Sequence, residues 1–345
     1  MPKNLLKLLP MRRKPITIVI VFGVLFILLV FLTKGIVWAS IFMRATGLTP
    51  QTTLSLVFGR GVDLAPIDGR VNILLLGIAG GTHDGADLTD TQLILSFYPE
   101  NKALSMISVP RDIWSDTLKD RVNSAYHYGE VKRKGGGIVL SKAIISDMVG
   151  LPIQHTLVFN FLGFEKIIDL VGGITINVPV AFIDSEFPIV GKENDMCSGD
   201  ETFACRYEPL TFQAGVQHMD GSRALQYVRS RHAVGEEGTD FARGKRQQEV
   251  LLAMKQRLTS KDVLMKPSLI LSLYKAFDDA SDTDMNIGQL MTVGKLFVGI
   301  GEGKSKQLSI EDQLYVPPQS WYGRYVLLPK ESFDAIHEFV KSKLH

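Results

Sequence analysis

The chain has 345 residues, 46% of them hydrophobic and 21% charged, with a formal net charge of +2. That length holds one large domain or two small ones, and the composition supports a sizeable core rather than global disorder. The near-neutral balance gives no whole-protein case for a nucleic-acid partner, and two cysteines without a CxxC spacing cannot build a zinc site alone.

Residues 1–15 carry Lys3, Lys7, Arg12, Arg13 and Lys14 and no acid. Residues 16–32 are uncharged and rich in Ile, Val, Leu and Phe, and the uncharged run resumes after Lys34 over residues 36–43. Lys34 can snorkel near a helix end, so residues 16–43 are long enough for one transmembrane helix. The positive-inside rule keeps residues 1–15 in the cytoplasm and places the rest outside. A cleaved signal peptide is the rival, but the run is long for one and Val37-Trp38-Ala39 is a poor cleavage site. Export gives the cysteines a meaning. Cys197 and Cys205 lie in the polar stretch 191–209, where an oxidising compartment favours a disulfide closing the loop.

Residues 44–68 read as a linker, and residues 69–345 as the external domain. Residues 71–76 form a short continuous apolar run that suits a buried strand. A Gly-rich loop follows with Asp84, Asp87 and Asp90. Such loops often approach phosphates, though this one is neither a P-loop nor GxGxxG. Residues 91–98 and 103–109 read as strands joined by Pro99-Glu100-Asn101-Lys102, a length that suits a hairpin. Arg111-Asp112 directly follows the second, at a sheet edge, where ligand sites form. A helix over 138–149, a strand over 155–160, a helix over 161–171 and a strand over 174–178 follow. This alternation predicts an α/β fold with a mixed sheet and helices on its faces.

Residues 225–248 crowd Arg229, Arg231, Arg243, Lys245 and Arg246 together, opposed only by Glu236, Glu237 and Asp240. A solvated helix face is the ordinary explanation of a charge run. The spacing argues for an inward site. Asp220 suits the N-cap of a helix over 221–231, with Arg229 and Arg231 at its C-terminal end, where the dipole also favours cations. Thr239 or Asp240 caps the next helix, which runs to about residue 258. Asp240, Arg243 and Gln247 share a line with the apolar Leu251, Met254 and Leu258. A buried stripe that turns polar in its first turns suits an anion, because arginine forks and free helix amides both bind phosphate. Beyond residue 264, helices over 269–277 and 287–297, strands over 314–318 and 325–328 and a closing helix over 331–343 complete the domain.

The chain resembles the LytR–CpsA–Psr family. The resemblance is carried by Asn72-Ile73-Leu74-Leu75-Leu76-Gly77, Thr89-Asp90-Thr91, Ser108-Val109-Pro110-Arg111-Asp112, Val122-Asn123-Ser124-Ala125-Tyr126, Asp169-Leu170-Val171-Gly172-Gly173-Ile174, Asp220-Gly221-Ser222-Arg223-Ala224-Leu225, Tyr227-Val228-Arg229-Ser230-Arg231 and Asp240-Phe241-Ala242-Arg243 with Arg246-Gln247-Gln248. These pieces stand in the family's order over residues 71–258. The resemblance implies a single three-layer α/β/α domain with a hydrophobic tunnel for a polyprenyl tail. It implies a phosphotransferase that moves a glycopolymer from a polyprenyl-pyrophosphate carrier to a peptidoglycan hydroxyl, with Mg²⁺ as cofactor. By motif, Arg111, Arg229, Arg231 and Arg243 would hold the pyrophosphate, Gln247 and Asp240 would complete the pocket, and Asp90 would ligate the metal. Asp112 would position Arg111 or act on the acceptor hydroxyl. The family's Asp after the first strand's Gly is absent here, where Ile78-Ala79-Gly80 stands, so the second carboxylate is unassigned, and Asp84 or Asp87 could substitute from the same loop. A polyprenyl-pyrophosphate phosphatase and a non-catalytic carrier-binding or regulatory protein are the alternatives.

Overall fold

The computed structural model describes residues 14–59, 61–81, 85–189, 191–192, 195–301 and 303–344, without the side chains of residues 14–25, 27, 31 and 240. The basic flank over residues 1–13 and Asp84 lie outside the described residues. The chain divides between Pro50 and Gln51 into two compact units. In the first, α1 (Lys14–Thr46) runs through the apolar stretch without a break. Its Leu28–Thr46 portion is long and apolar enough to cross a membrane, and Phe26, Leu28, Leu29 and Leu32 are exposed.

The second unit begins within the stretch read as a linker, which holds a short helix, α2 (Pro50–Phe58). Three strands follow: β1 (Val71–Ile78), β2 (Thr89–Tyr98) and β3 (Ala103–Ser108). They pair antiparallel in sequence order. A two-rung ribbon, β4 (Trp114–Ser115) and β5 (Asp120–Arg121), leads to α3 (Ala125–Lys132) and α4 (Gly136–Val149). β6 (His155–Asn160) then lies parallel to β1. After α5 (Phe161–Leu170) the chain leaves the sheet. β7 (Ile174–Val178), β8 (Phe182–Pro188), β9 (Tyr207–Phe212) and β10 (Gly215–Met219) form two separate ribbons, β8 with β9 and β7 with β10. Cys197 and Cys205 are joined by a disulfide in the β8–β9 connection.

Next come α6 (Gly221–Arg229), α7 (Asp240–Leu258), α8 (Lys261–Leu264), α9 (Pro267–Ala280), β11 (Ser281–Thr283), α10 (Ile287–Val298) and β12 (Ser305–Ser309). β13 (Leu314–Tyr315), β14 (Leu328–Pro329) and α11 (Phe333–Leu344) finish the chain. The central sheet has the order β11-β6-β1-β2-β3-β12. β12 is parallel to β3, and β11 is antiparallel to β6, so the sheet is mixed, as expected. The end of α2 belongs to this unit, because Lys295 Nζ of α10 donates to the carbonyls of Leu56 and Gly59 at 2.8 and 2.7 Å.

Alternation along the strands divides the side chains between two faces. Leu74, Leu76, Ile94 and Ile107 meet α4 and α11 in one core. Ile73, Leu93, Leu95 and Met106 face the other side, toward α7 and α10. The two layers are closed to different degrees. Leu74, Leu76 and Val158 are fully buried. Leu75 and Leu157 pair across the central strands on the other face, yet both stay partly exposed, as do Leu251 and Leu252 above them. A parallel pair at a sheet centre is normally buried on both faces, so this layer is less closed than the other.

α7 lies close against the strand ends. A Cβ at Gly244 would sit 2.5 Å from Ser108 Oγ, so glycine permits the approach. Gln247 Nε2 donates to Thr91 Oγ1 at 2.9 Å, and Gln248 Nε2 to the Met106 carbonyl at 3.3 Å. Thr239 is the N-cap, its Oγ1 accepting from Ala242 N–H at 3.2 Å. Thr239→Ala should lower stability by about 1 kcal/mol, a fall in Tm of about 2 °C for a domain of this size. Thermal unfolding followed by circular dichroism checks this, and an unchanged Tm refutes the cap.

Candidate active site

Pro110 cannot donate to a ladder, so β3 stops and the chain turns at Arg111 and Asp112. Arg111 pairs with Asp90 at the start of β2, and its Nε lies 3.5 Å from Asp112 Oδ2. Asp112 is 1% exposed and accepts from Arg121 Nη1 at 2.9 Å. Arg231 Nη2 lies 3.9 Å from its other oxygen. Three arginines therefore converge on one buried carboxylate. Among the described residues they outnumber the two carboxylates paired with them, Asp90 and Asp112, an arginine-rich group at the head of the sheet that suits a charge-dense anion. The turn is held from behind. Asn123 N–H donates to the Arg111 carbonyl at 3.2 Å, and Thr89 Oγ1 donates to the Asn123 carbonyl at 3.2 Å.

Arg231 is not on α6, contrary to the expected helix over 221–231. The helix ends at Arg229, and Ser230 is its C-cap, with a non-helical ψ of 134°. Buried Asp184 of β8 is the cause. It accepts from Ser230 Oγ and Arg231 N–H, both at 2.8 Å, and from His232 N–H at 3.2 Å. Asp220 caps α6 as expected, accepting from Arg223 N–H at 2.8 Å.

The remaining cations divide by role. Arg243 is 6% exposed, in the first turn of α7, one turn from Gln247. Arg229 lies over the rings of Phe161 and Phe187, at 5.1 and 5.7 Å. Phe161 in turn packs near Gly77, whose Cβ would meet Phe161 Cε1 at 3.8 Å and Thr91 Cβ at 2.9 Å. Gly77, Thr91, Gln247, Phe161 and Arg229 thus form a connected chain of contacts beside Asp90. Arg246 is an internal brace. It donates to the Tyr227, Ser230 and Glu237 carbonyls at 3.0, 2.7 and 3.0 Å and to Glu237 Oε2 at 2.9 Å. Burial draws its pKa below the ordinary guanidinium value. Lys245 points to solvent. Near Arg229, burial raises the pKa of Glu165, helped by Asp169 and Asp220 and opposed by Arg229.

Two residues carry roles that the sequence barely signals. Arg121 stands at the head of a recognised motif, but nothing in one dimension links it to Asp112. Asp184 sits at an inward position between Phe182 and Phe187, the only signal of its buried role. Asp90 offers a partly exposed carboxylate oxygen, a hard donor of the kind Mg²⁺ takes together with water. Asp87 is engaged with His127 Nδ1 at 2.8 Å. Among the described residues, the one group of three potential metal donors is Asp195, Cys197 and Cys205, and there the disulfide occupies both sulfurs.

The chain matches the LytR_cpsA_psr family over residues 53–341. It is 27% identical over 259 residues to the polyisoprenyl-teichoic acid–peptidoglycan teichoic acid transferase TagV of Bacillus subtilis strain 168, which is 73% of this chain and 59% of TagV. It is 28% identical over 248 residues to the regulatory protein MsrR of Staphylococcus aureus strain COL, 70% of this chain and 65% of MsrR. In both cases the match spans less than two thirds of the relative's length. The crystal structure of B. subtilis TagV shares the fold, with a TM-score of 0.56 at 23% identity over 81% of this chain and 98% of that one.

Proposed function

This chain belongs to the LytR–CpsA–Psr family, and from that premise we propose that it transfers a glycopolymer from a polyprenyl-pyrophosphate carrier to a peptidoglycan hydroxyl. The observation that carries this reading is the convergence of Arg111, Arg121 and Arg231 on buried Asp112, beside a sheet layer whose leucines stay partly exposed. The cationic group suits a pyrophosphate. The partly exposed leucines Leu75, Leu157, Leu251 and Leu252 offer apolar surface that suits an apolar chain attached to it.

In the proposed reaction the acceptor oxygen attacks the phosphorus that bears the glycan, and its proton is lost to a base. The bridging P–O bond breaks, leaving a glycan phosphodiester and polyprenyl phosphate. Negative charge grows on the leaving phosphate, where fixed arginine donors stabilise the transition state more than the ground state. Asp112 holds their guanidinium planes in place. Arg229, Arg243 and Gln247 extend the pocket along α6 and α7, with Asp240 at the first position of α7. Asp90 would hold Mg²⁺, which supplies further charge neutralisation at the pyrophosphate; Asp84 and Asp87 are the candidates for a second carboxylate. α1 would be a single-pass anchor, its N-terminal end in the cytoplasm and the second unit on the extracytoplasmic face, where the Cys197–Cys205 disulfide would persist.

The pairing of Asp87 with His127 and the absence of an acid at Ile78 favour a second reading, a protein that binds the lipid carrier without turning it over. Product analysis separates the readings. The full chain in detergent with Mg²⁺ is given a polyprenyl-pyrophosphate glycan, with and without peptidoglycan. Glycan joined to peptidoglycan is expected. Release of polyprenyl phosphate regardless of acceptor would make it a phosphatase. Binding without either product would establish the carrier-binding reading.

A further inference from the structure

The turn that carries Arg111 and Asp112 continues into an exposed aromatic surface. β4 and β5 pair Trp114 with Arg121 and Ser115 with Asp120. Arg121 reaches Asp112 from this ladder, while the Trp114 ring packs beside Tyr322, with centroids 4.7 Å apart and planes tilted by 59°. The C-terminal strap is fixed to the same turn. Leu327 N–H donates to the Asp112 carbonyl at 2.9 Å, and Trp114 N–H donates to the Leu327 carbonyl at 3.0 Å. Asp120 joins the two sides, accepting from Arg324 Nη1 at 2.9 Å and from Tyr128 Oη at 2.7 Å. Burial alone would raise the pKa of Asp120, but the hydrogen bonds from Tyr128, Arg121 N–H and Ser124, with Arg324 nearby, hold it below the ordinary value. At the outer end of the strap Trp321 is 65% exposed, and Tyr128 beside Asp120 is 40% exposed.

We infer that this surface is a saccharide-binding ledge for the amino-sugar strand that bears the acceptor hydroxyl, an inference that rests on the transfer reading above. A pyranose ring has C–H faces and hydroxyl edges. The faces suit the negative faces of aromatic rings, and the edges suit a fixed set of donors and acceptors such as Asp120, Arg324 and Tyr128. Trp114 is two residues from Asp112, so their Cα atoms are at most about 7 Å apart. Trp114 and Arg121 are opposed in the ladder, so a strand laid on the Trp114 ring lies beside the residue that carries a guanidinium to Asp112. The charges of the ledge pair among themselves, Arg324 with Asp120 at 2.9 Å and Lys119 with Asp116 at 3.3 Å. An anionic membrane surface would call for unpaired cations; an uncharged sugar does not.

The test uses the full chain in nanodiscs and chitotetraose, a soluble β-linked amino-sugar tetramer, as probe. Tryptophan emission should change saturably as the tetramer is added, and Trp321→Ala should abolish the change. In transfer assays Trp321→Ala should raise the KM for the glycan acceptor about tenfold, leave the KM for the lipid donor in place, and be largely rescued by Trp321→Phe. Trp114→Phe, a milder change nearer the turn, should weaken tetramer binding in the same direction. No response to the tetramer, or equal binding by Trp321→Ala, overturns the ledge. So does an emission shift that depends on phosphatidylglycerol in the nanodisc and not on the tetramer. Wild-type protein that binds the tetramer but transfers nothing would sustain the ledge and refute the transfer reading. Transfer by Trp321→Ala with an unchanged acceptor KM would do the reverse.

Discussion

Arg111→Ala should lower turnover of a polyprenyl-pyrophosphate donor by about a thousandfold, the order expected when a fixed arginine on a transferring phosphoryl group is removed. The fold should survive. Arg111 is one of three arginines on Asp112, and its removal leaves Arg121 at 2.9 Å and Arg231 at 3.9 Å to balance the buried carboxylate. Its pairing with Asp90 is partly exposed, and such pairs contribute little to stability. Arg111→Lys should recover little, because an ammonium restores the charge but not the planar fork that bridges Asp90, Asp112 and a phosphate. Arg243→Ala, on the facing helix, should give a loss of the same kind. The check is turnover measured beside thermal unfolding. Near-normal turnover in both alanine variants would dismantle the site, and a large fall in Tm for Arg111→Ala would recast that residue as structural.

The elements that frame this site were legible because their signals are local. The runs at 71–76, 91–98 and 103–109 are apolar, short and bounded by turn residues, and each is a strand of the central sheet. The helical phase of Arg243 and Gln247 also predicted correctly that the first turns of α7 face inward, as the burial of Arg243 and the Gln247–Thr91 bond show. What periodicity does not encode is the partner. Residues 174–178 form a strand as expected, but one paired with β10 outside the central sheet. α2 was hidden because Gln51, Thr52 and Thr53 give its first turn no apolar stripe, and its tie to Lys295 crosses more than two hundred residues. Arg246 shares charge and helix with Arg243, yet it braces three carbonyls of the preceding segments. Arg121 and Asp184 were invisible for the same reason, since each acts on a group brought to it only by folding.

Asp184→Asn should therefore affect both stability and turnover, because the carboxylate holds the backbone on either side of Arg231. One oxygen of its carboxylate accepts three donors, Ser230 Oγ and the N–H groups of Arg231 and His232, and the other accepts from Glu186 N–H at 3.1 Å. A carboxylate can satisfy four donors at once; an amide places its own N–H groups against some of them. Leaving buried donors unpaired is worth about 2 kcal/mol of destabilisation, a fall of about 4 °C in Tm. The loosened segment is the one that sets Arg231 beside Asp112. A misplacement of about 1 Å there should lower turnover about a hundredfold. A purely structural role would lower Tm while leaving the turnover of the folded fraction intact, so the double variant decides. In the Arg231→Ala background, Asp184→Asn should destabilise as before but add little further loss of turnover, because the group it positions is already gone. Fully additive losses of turnover would mean that Asp184 acts on the site by a route other than Arg231.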